Sequence, residues 1–328
     1  MEYRDSNTLY ALGMLYGKGD ILFNSDGSSC KLIFEIKYRR PRTASLRSDN
    51  KRRDLTSEML SPPVTVDVFN DFKDLSRIFT QSFGVRIDLE PLPNDVNSWN
   101  KKRIILESED IKTDSKILKQ LFDKDKIDNT TLQHVPMYLF DKKTSKQWVI
   151  AFLQGVCDAA GLPPSEASSA YGSNGPIRVQ IELEWGRWYL PVEICRLFQR
   201  KLSIPIQMIN WGHPNSRGTN SYRGQNHQFR IYAQDFKILD FRLRFKKTEL
   251  DNLLSRVQSR SSVKGFYPKN ITKKAKLPPY PCNKHNENDP DLPLELRGKH
   301  FERNYQIYDA LKSSCYPLKT IEDNNYND

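Results

Sequence analysis

Arginine and glutamine alternate with apolar residues in two segments of the chain. In residues 177–185, Arg178 and Gln180 fall on the face opposite the apolar side chains, and Gln228 and Arg230 share one face of a later segment. These two residue types can form paired hydrogen bonds with guanine and adenine edges in the major groove. We therefore predict that the four side chains read duplex DNA. The alternative is the solvated face of an ordinary amphipathic strand.

A run of basic residues offers a second kind of contact. Lys31 and Lys37 lie on the polar face of the alternating segment Lys31–Arg39. The run continues directly after it, in Arg39, Arg40, Arg42, Arg47, Lys51, Arg52 and Arg53. A loop with this charge can lie along phosphates and fix the position of a protein on a duplex. We predict nucleic-acid contact here, against the alternative of a solvated tract.

The overall charge agrees with a polyanionic partner. The 328 residues include 51 Lys and Arg against 40 Asp and Glu, a formal net charge of +11. Such an excess favours nucleic acid through the release of bound counterions. A further basic group, Arg242, Arg244, Lys246 and Lys247, begins a predicted helix. For that group, contact with a nucleic-acid backbone and ordinary charge flanking a helix are equally open.

The last part of the chain contains residues that could hold a metal. Cys282 and His285 are separated by two residues, and His300 and Cys315 follow at longer intervals. These four side chains could form a tetrahedral structural zinc site. The alternatives are a free cysteine with surface histidines, or a separate nuclease centre built from His285, Glu287, Asp289 and His300.

Several functional classes are excluded by composition and motif. The chain has no apolar run of the ~18 residues that a membrane span needs, and its polar start does not resemble a signal peptide. It has no Walker loop and no glycine-rich dinucleotide fingerprint. Five scattered cysteines do not form a disulfide framework. They predict a reducing, cytoplasmic location.

Two apolar segments with matching small residues indicate an internal repeat. The segment Asn7–Gly17 has Gly13 and Gly17 four residues apart, and Lys146–Gly161 has Gly155 and Ala159 at the same interval. Small residues on one helix face let two backbones approach closely. The sequence therefore predicts two helices that pack against each other through these four positions.

Each of these helices is followed by the same predicted series of elements. After the first come a strand (Lys31–Arg39), a short strand (Val64–Val68), a helix (Asp71–Phe83), two strands (Val85–Leu89 and Lys102–Leu106) and a helix (Asp114–Phe122). After the second come a strand (Ile177–Trp185), a short strand near Trp188, a helix (Pro191–Leu202), two strands (Ile204–Ile209 and Gln228–Ala233) and a helix (Lys247–Val257). The prediction is an α+β protein with two pseudo-symmetric halves.

The predicted boundaries place the first half at residues 1–124 and the second at 125–262. A polar stretch at 123–134 is expected to be the linker, and Pro136 precedes the second key helix. Residues 263–328 are expected to form a small, partly disordered C-terminal extension with one short helix at His300–Lys312.

The two helical segments resemble the motifs of single-chain LAGLIDADG homing endonucleases. The second, Phe152–Gly161, matches well, and the first, Ala11–Gly19, matches more weakly. The resemblance covers residues 1 to about 260. It implies two αββαββα halves whose antiparallel sheets form a saddle on the DNA major groove, with the motif helices at the centre. It also implies a monomer with internal two-fold pseudo-symmetry.

The residues expected to bind metal in that family are absent here. The resemblance implies an acid before the last glycine of each motif, coordinating Mg²⁺, but this chain has Lys18 and Ala160. Mg²⁺ prefers carboxylate oxygens. Asp20 and Asp158 lie two residues from those positions, which on a helix is a turn of roughly 200°. They are the remaining candidate catalytic acids.

Three functions are consistent with these observations. The first is sequence-specific binding of duplex DNA without cleavage by the motif pair, in gene control or in a restriction or defence system. The second is a Mg²⁺-dependent homing or restriction endonuclease whose acidic ligands have moved. The third is an RNA-binding splicing cofactor, a role that relatives of this fold have taken. None of the three involves a membrane.

Overall fold

The computed structural model describes residues 5–37, 62–89, 103–162, 178–204, 206, 209–214, 225–256, 292–297, 299 and 304–315. The first half contains α1 (Ser6–Lys18), β1 (Gly19–Phe23), β2 (Ser29–Lys37), α2 (Pro62–Phe83), β3 (Ile87–Leu89), β4 (Arg103–Ser108), β5 (Ile111–Lys112) and α3 (Lys116–Phe122). The second half contains α4 (Lys146–Ala160), β6 (Gly161–Leu162), β7 (Arg178–Glu184), α5 (Tyr189–Arg196), β8 (Ile209–Pro214), β9 (Gln225–Tyr232), α6 (Ala233–Phe236) and α7 (Arg244–Arg256). A final helix, α8 (Asn304–Leu311), follows.

The strand order repeats from one half to the other. In the first sheet the strands follow the order β1-β2-β4-β3, with β5 also paired to β2. The second sheet has the order β6-β7-β9-β8, and all pairs in both sheets are antiparallel. Each sheet begins directly after α1 or α4. The predicted α+β class and the two repeated halves are therefore confirmed.

Helices α1 and α4, called the motif helices below, begin at polar capping residues. Asp5 Oδ1 accepts a hydrogen bond from the Thr8 amide at 2.8 Å, and Ser145 Oγ accepts one from the Gln147 amide at 3.2 Å. Such caps satisfy amide groups that the helix leaves without partners. Each helix ends at a glycine that begins the first strand of its half.

The motif helices pack backbone to backbone, as the small residues predict. A Cβ atom added at Gly13 would lie 1.9 Å from Phe152 O, and one at Gly155 would lie 2.0 Å from Tyr10 O. One at Gly17 would lie 2.7 Å from the Cβ of Ala159. Neither glycine at the centre of this seam can therefore carry a side chain. The predicted contact between the two helices is confirmed.

The alternating strands bury one face and leave the other outward, as predicted. Leu32, Phe34 and Ile36 of β2 are buried, and Phe34 stacks on Phe79 of α2 with ring centroids 4.2 Å apart. Val179, Ile181 and Leu183 of β7 are buried in the same way. The opposite side of each sheet, called its outer face, carries the polar side chains.

Three predicted strands are wrong, and two short strands were missed. Residues 64–68 are not a strand but belong to α2, because prolines at its start are tolerated where amides have no helical partner. Trp188 caps the start of α5 and is not in a strand. The strand predicted at 204–209 begins only at Ile209, since α5 continues as a π-helix over Leu197–Lys201. The short strands β1 and β6 were not predicted.

The polar linker predicted at 123–134 is packed against both halves. Ile127 and Leu132 are buried, and residues Thr131–Gln133 form a 3₁₀ turn. The hydroxyl of Tyr16 in α1 donates to the carbonyls of Thr131 and His134 at 3.1 and 2.9 Å. His134 Nδ1 lies 2.8 Å from the buried Glu193 carboxylate of α5. The segment thus fastens α1 to α5.

The described parts of the C-terminal extension pack on the second half. Leu292, Leu296 and Ile307 join the hydrophobic core. The Tyr189 hydroxyl of α5 donates to Glu295 at 2.9 Å. The helix α8 lies within the predicted 300–312 stretch, whose first residues are outside the described part. No helix that the structure describes is long and apolar enough to cross a membrane.

Candidate nucleic-acid interface and the ends of the motif helices

The outer face of the second sheet brings together the Arg and Gln residues that the sequence singled out. In the register of β7 and β9, Gln180 faces Arg230 and Glu182 faces Gln228. Arg178 faces Tyr232, and its guanidinium carbon lies 5.8 Å from the centroid of that ring. The predicted residues therefore form one cross-strand group.

Hydrogen bonds connect this group through Glu182. Its Oε1 accepts from Gln180 Nε2 at 2.7 Å and from Gln228 Nε2 at 3.3 Å. The Oε1 of Gln180 accepts from Arg230 Nε at 3.2 Å. Gln228 is only 1% exposed and Glu182 only 6%. Arg178, Gln180 and Arg230 are half-buried. Gln228 and Glu182 are therefore buried supports of this group, and Arg178, Gln180 and Arg230 reach the surface.

The outer face of the first sheet is more acidic among the side chains that the structure describes. Lys31 Nζ pairs with Glu107 Oε1 at 2.7 Å, and both side chains are nearly half exposed. Asp20, Glu35 and Asp88 share this face, by strand parity and register. Lys37 ends β2, but its side chain lies outside the described part, as do Arg39, Arg40 and Arg42. Their contacts stay predictions.

A buried arginine occupies the C-terminal end of α1. The Arg187 guanidinium donates to the carbonyl of Tyr16 at 3.1 Å and to the carbonyl of Gly19. It also pairs with Glu184 Oε2 at 3.1 Å. Arg187 and Lys18 are each only 6% exposed. A cation here satisfies helix carbonyls and complements the negative end of the helix dipole.

A buried lysine occupies the corresponding end of α4. Lys246 Nζ donates to the Gly161 carbonyl at 2.8 Å and to the Asp158 carbonyl. Counting back from the last glycine of each motif, Tyr16 and Asp158 hold the same position. The same pair of carbonyls is therefore capped by a cation in both motifs. Sequence reasoning missed both roles, since neither cation is near its helix in the chain.

The Asp158 side chain has a structural role beside this lysine. Its Oδ2 accepts from the Tyr10 hydroxyl at 2.7 Å and from the amides of Arg242 and Leu243 at 3.0 and 3.3 Å. Burial raises the pKa of Asp158 to about 7, and the Lys246 ammonium opposes that shift. Asp158 thus joins α1 to the segment before α7.

Asp20, the other candidate acid, lies in a different environment. It is exposed at the start of β1, and its Oδ1 accepts from the Ile21 amide at 2.9 Å. Asp158 is completely buried in the helix seam. Within the described part of the chain, no three His, Cys, Asp or Glu side chains gather as a metal site requires.

Aromatic rings fill the space beside the end of α1. His227 is fully buried among Trp185, Trp188 and Trp211, with ring centroids 5.4, 4.4 and 5.1 Å away. Its Nε2 lies 2.7 Å from the Trp185 carbonyl. Burial lowers the pKa of His227 to about 3, and the nearby Lys18 charge acts in the same direction. The sequence signal that could have found this cluster is the close spacing of Trp185 and Trp188.

The basic residues before and within α7 form hydrogen bonds and ion pairs with other residues of the protein. Arg242 donates to Asn7 Oδ1 at 2.9 Å, and Arg244 pairs with Asp71 and Asp74 of α2 at 3.2 and 2.9 Å. Lys247 pairs with Asp240. The contacts of Arg242 and Arg244 connect the second half to the first, whereas those of Lys246 and Lys247 stay within the second half. These contacts favour the interpretation that the basic residues are ordinary charge flanking a helix, and not a nucleic-acid contact.

The predicted zinc ligands lie mostly outside the described residues. Cys282, His285 and His300 are not described. Cys315 is buried after α8, with its Sγ 3.8 Å from the Tyr189 carbonyl. Burial raises the pKa of this thiol, which disfavours the thiolate that zinc requires. The zinc site stays a prediction.

No family model matches the chain, and no curated protein matches it. Among solved structures, it is similar to I-DmoI in complex with DNA and Mn, at 12% identity and a TM-score of 0.34, over 74% of this chain and 97% of that one. The N-terminal LAGLIDADG domain of DUF199/WhiA matches at 10% identity and 0.34, over 78% and 86%. The I-LtrWI LAGLIDADG homing endonuclease bound to target DNA matches at 9% and 0.34, over 76% and 91%. Likenesses of this strength carry no functional conclusion.

Proposed function

We propose that this chain binds duplex DNA in a sequence-specific manner and does not cleave it through the motif helices. The observation that carries the proposal is the outer face of the second sheet. Arg178, Gln180 and Arg230 lie there together and half-buried: hydrogen bonds hold Gln180 and Arg230, and Arg178 lies against the Tyr232 ring. A two-stranded ribbon fits the major groove, and these residue types match its base edges.

The proposal that the motif helices do not cleave DNA is supported by the charges at their C-terminal ends. Lys18 and Ala160 replace the expected carboxylates, and Arg187 and Lys246 add fixed positive charge to the same ends. A unit charge 4 Å from a divalent cation, at an effective dielectric near 20, costs about 8 kcal/mol. These residues do not fit Mg²⁺. Asp158, with three donors already on one oxygen, is a poor replacement ligand.

The proposed setting is gene control or the specificity part of a restriction or defence system. Both halves lie in one chain, so a monomer would supply the whole surface. Four cysteines, Cys30, Cys157, Cys195 and Cys315, are buried and unbridged, which suits a reducing cytoplasm.

Binding is tested by selecting duplexes from a random library with the full chain and measuring the affinity of the selected duplex across salt concentrations. We expect an enriched sequence and an affinity that falls steeply as salt rises. Structured RNA is the competitor. If RNA displaces the selected duplex at equal concentration, or no duplex is enriched, the proposal is wrong.

Cleavage is tested on a plasmid carrying the selected sequence, with Mg²⁺ or Mn²⁺. We expect the plasmid to remain supercoiled. Cleavage by the native chain that disappears in Asp20→Asn or Asp158→Asn would show that the acids have moved, and the endonuclease function would replace ours. Cleavage that survives both changes but needs His285 or His300 would place a nuclease centre in the C-terminal extension.

A further inference from the structure

We propose that Arg230 determines specificity by reading a guanine, and that Glu182 is a positioning residue that orients Arg230 through Gln180. The inference rests on the proposed DNA binding and adds the base that one side chain selects. It is carried by a chain of hydrogen bonds across β7 and β9, from a buried carboxylate to a half-buried guanidinium.

The buried end of this chain fixes the glutamines. A carboxylate oxygen only accepts hydrogen bonds, so both glutamines must point their Nε2 groups at Glu182. With its nitrogen committed, Gln180 turns its Oε1 to the opposite strand. The acceptor-only carboxylate thus sets the orientation of the Gln180 amide. Gln228, at 1% exposure, completes the anchor and does not reach the DNA.

The outer end of the chain fixes the arginine. Arg230 lies directly opposite Gln180, and its Nε donates to Gln180 Oε1 at 3.2 Å. A guanidinium held at Nε has a fixed plane, and the two terminal nitrogens are the pair that matches guanine O6 and N7. An arginine that binds phosphate needs no such fixed plane, since phosphate contacts position a protein without reading sequence.

The same series of hydrogen bonds also explains why a glutamate lies on a DNA-binding face. Its negative charge would repel phosphates if exposed, but Glu182 is only 6% exposed and accepts two amide groups. The carboxylate therefore acts on its neighbours and makes no contact with the duplex. Removing it should change which sequence is preferred and leave general affinity in place.

The test uses the full chain, the selected duplex, and duplexes in which each G·C pair is replaced by A·T. We compare the native chain with Arg230→Lys, which keeps the charge, and with Glu182→Gln. Glu107→Gln, the same change on the outer face of the first sheet, is the matched control. Gln180→Met removes the hydrogen bonds of Gln180 to Glu182 and Arg230. This second variant keeps the test valid if Glu182→Gln fails to fold.

We expect Arg230→Lys to lose roughly tenfold preference for guanine at one position, with affinity for random DNA and its salt dependence unchanged. Glu182→Gln and Gln180→Met should lose part of the same preference at the same position, and Glu107→Gln none. Two results overturn the inference: a uniform loss for all sequences, which indicates a phosphate contact, or an unchanged preference in folded Glu182→Gln and Gln180→Met. A chain that enriches no duplex refutes the proposed function instead.

Discussion

The outer faces of the two sheets differ in charge although their strands follow the same order. On the first sheet, the described strand carboxylates Asp20, Glu35, Asp88 and Glu107 outnumber the described strand cations Lys31 and Lys112. The second presents two arginines, two glutamates and the amides between them. The buried faces of both are apolar. The repeated topology is thus maintained by the buried side chains, which leaves each outer face open to a different use.

The motif helices show the same divergence at one aligned position. The Tyr16 hydroxyl donates to two linker carbonyls, and the Asp158 carboxylate accepts from Tyr10 and two amides. Both side chains anchor a neighbouring segment, with opposite hydrogen-bonding roles. Burial raises the pKa of the Asp158 carboxyl to about 7, so this anchor titrates near neutral pH. The two halves therefore share a framework and differ in how it responds to solution conditions.

The largest effect is expected at the seam on which both sheets depend. A Cβ at Gly155 would lie 2.0 Å from Tyr10 O, a backbone atom that cannot move alone. Gly155→Val should therefore lower the free energy of unfolding by more than the ~1–3 kcal/mol typical of overpacking. Urea denaturation measures it. Gly186→Ala, in open space on an exposed turn, is the control and should change little. An unchanged midpoint for Gly155→Val would contradict the packing.

The second prediction tests whether the first half contributes to DNA binding through the basic run and not through the outer face of its sheet. Changing Arg39, Arg40 and Arg42 to Gln should reduce the slope of log affinity against log salt by about three. Changing Lys142, Lys143 and Lys146 to Gln removes equal charge at the far end of α4, ~22 Å from its sheet. That control should keep the native slope. Equal slopes in all three proteins would show that the basic run is solvated.

The third prediction compares the two outer faces directly. Arg178→Ala should weaken binding of the selected duplex by ~1–3 kcal/mol if it contacts a base. Lys31→Ala should change it by less than ~1 kcal/mol, because Lys31 is already paired with an exposed Glu107. Fluorescence anisotropy measures both affinities. A larger loss for Lys31→Ala would reverse the comparison and make the first sheet the reading surface.

The smallest effect concerns the Asp158 carboxyl. Its pKa is raised to about 7 by burial, whereas an exposed Asp titrates near ~3.9. Between these values the folded chain keeps a proton that the unfolded chain has released. Stability therefore falls as pH rises from about 4 to about 7, and this contribution is constant above that range.

Asp158→Asn should remove that dependence. Urea denaturation at pH 5.5 and pH 8 should show that the native chain loses roughly 1–2 kcal/mol more than the variant on going to the higher pH. Other titrating groups contribute to both proteins and cancel in the difference. Parallel pH profiles would mean that Asp158 stays ionised throughout, held by Lys246 and its three donors.

Sequence periodicity predicted the parts of the fold that depend on local pattern. The small residues Gly13 and Gly155 predicted the seam, and alternation in β2 and β7 separated buried from outer faces. The strands β1 and β6 were missed because each is short and continues directly from a helix. The first turns of α2 were predicted as a strand because two prolines and several β-branched residues stand at its start.

The candidate site could be predicted only in part. Arg178, Gln180 and Arg230 were found because strand alternation places them on one face. The roles of Arg187 and Lys246 depend on contacts with residues 168 and 85 positions away. No local pattern marks a side chain that caps a distant helix. Gln228 was predicted at the surface, but its burial follows from packing that alternation does not describe.

The tryptophan cluster gives this protein an internal optical reporter. Three of its five tryptophans surround His227 where α1 meets the second sheet. Because burial lowers the pKa of His227 to about 3, the imidazole stays neutral across the physiological range and does not change the charge beside these rings. Once Trp99 and Trp148 are replaced by phenylalanine, a change in tryptophan emission when a duplex is added would report movement at this junction, with no attached dye.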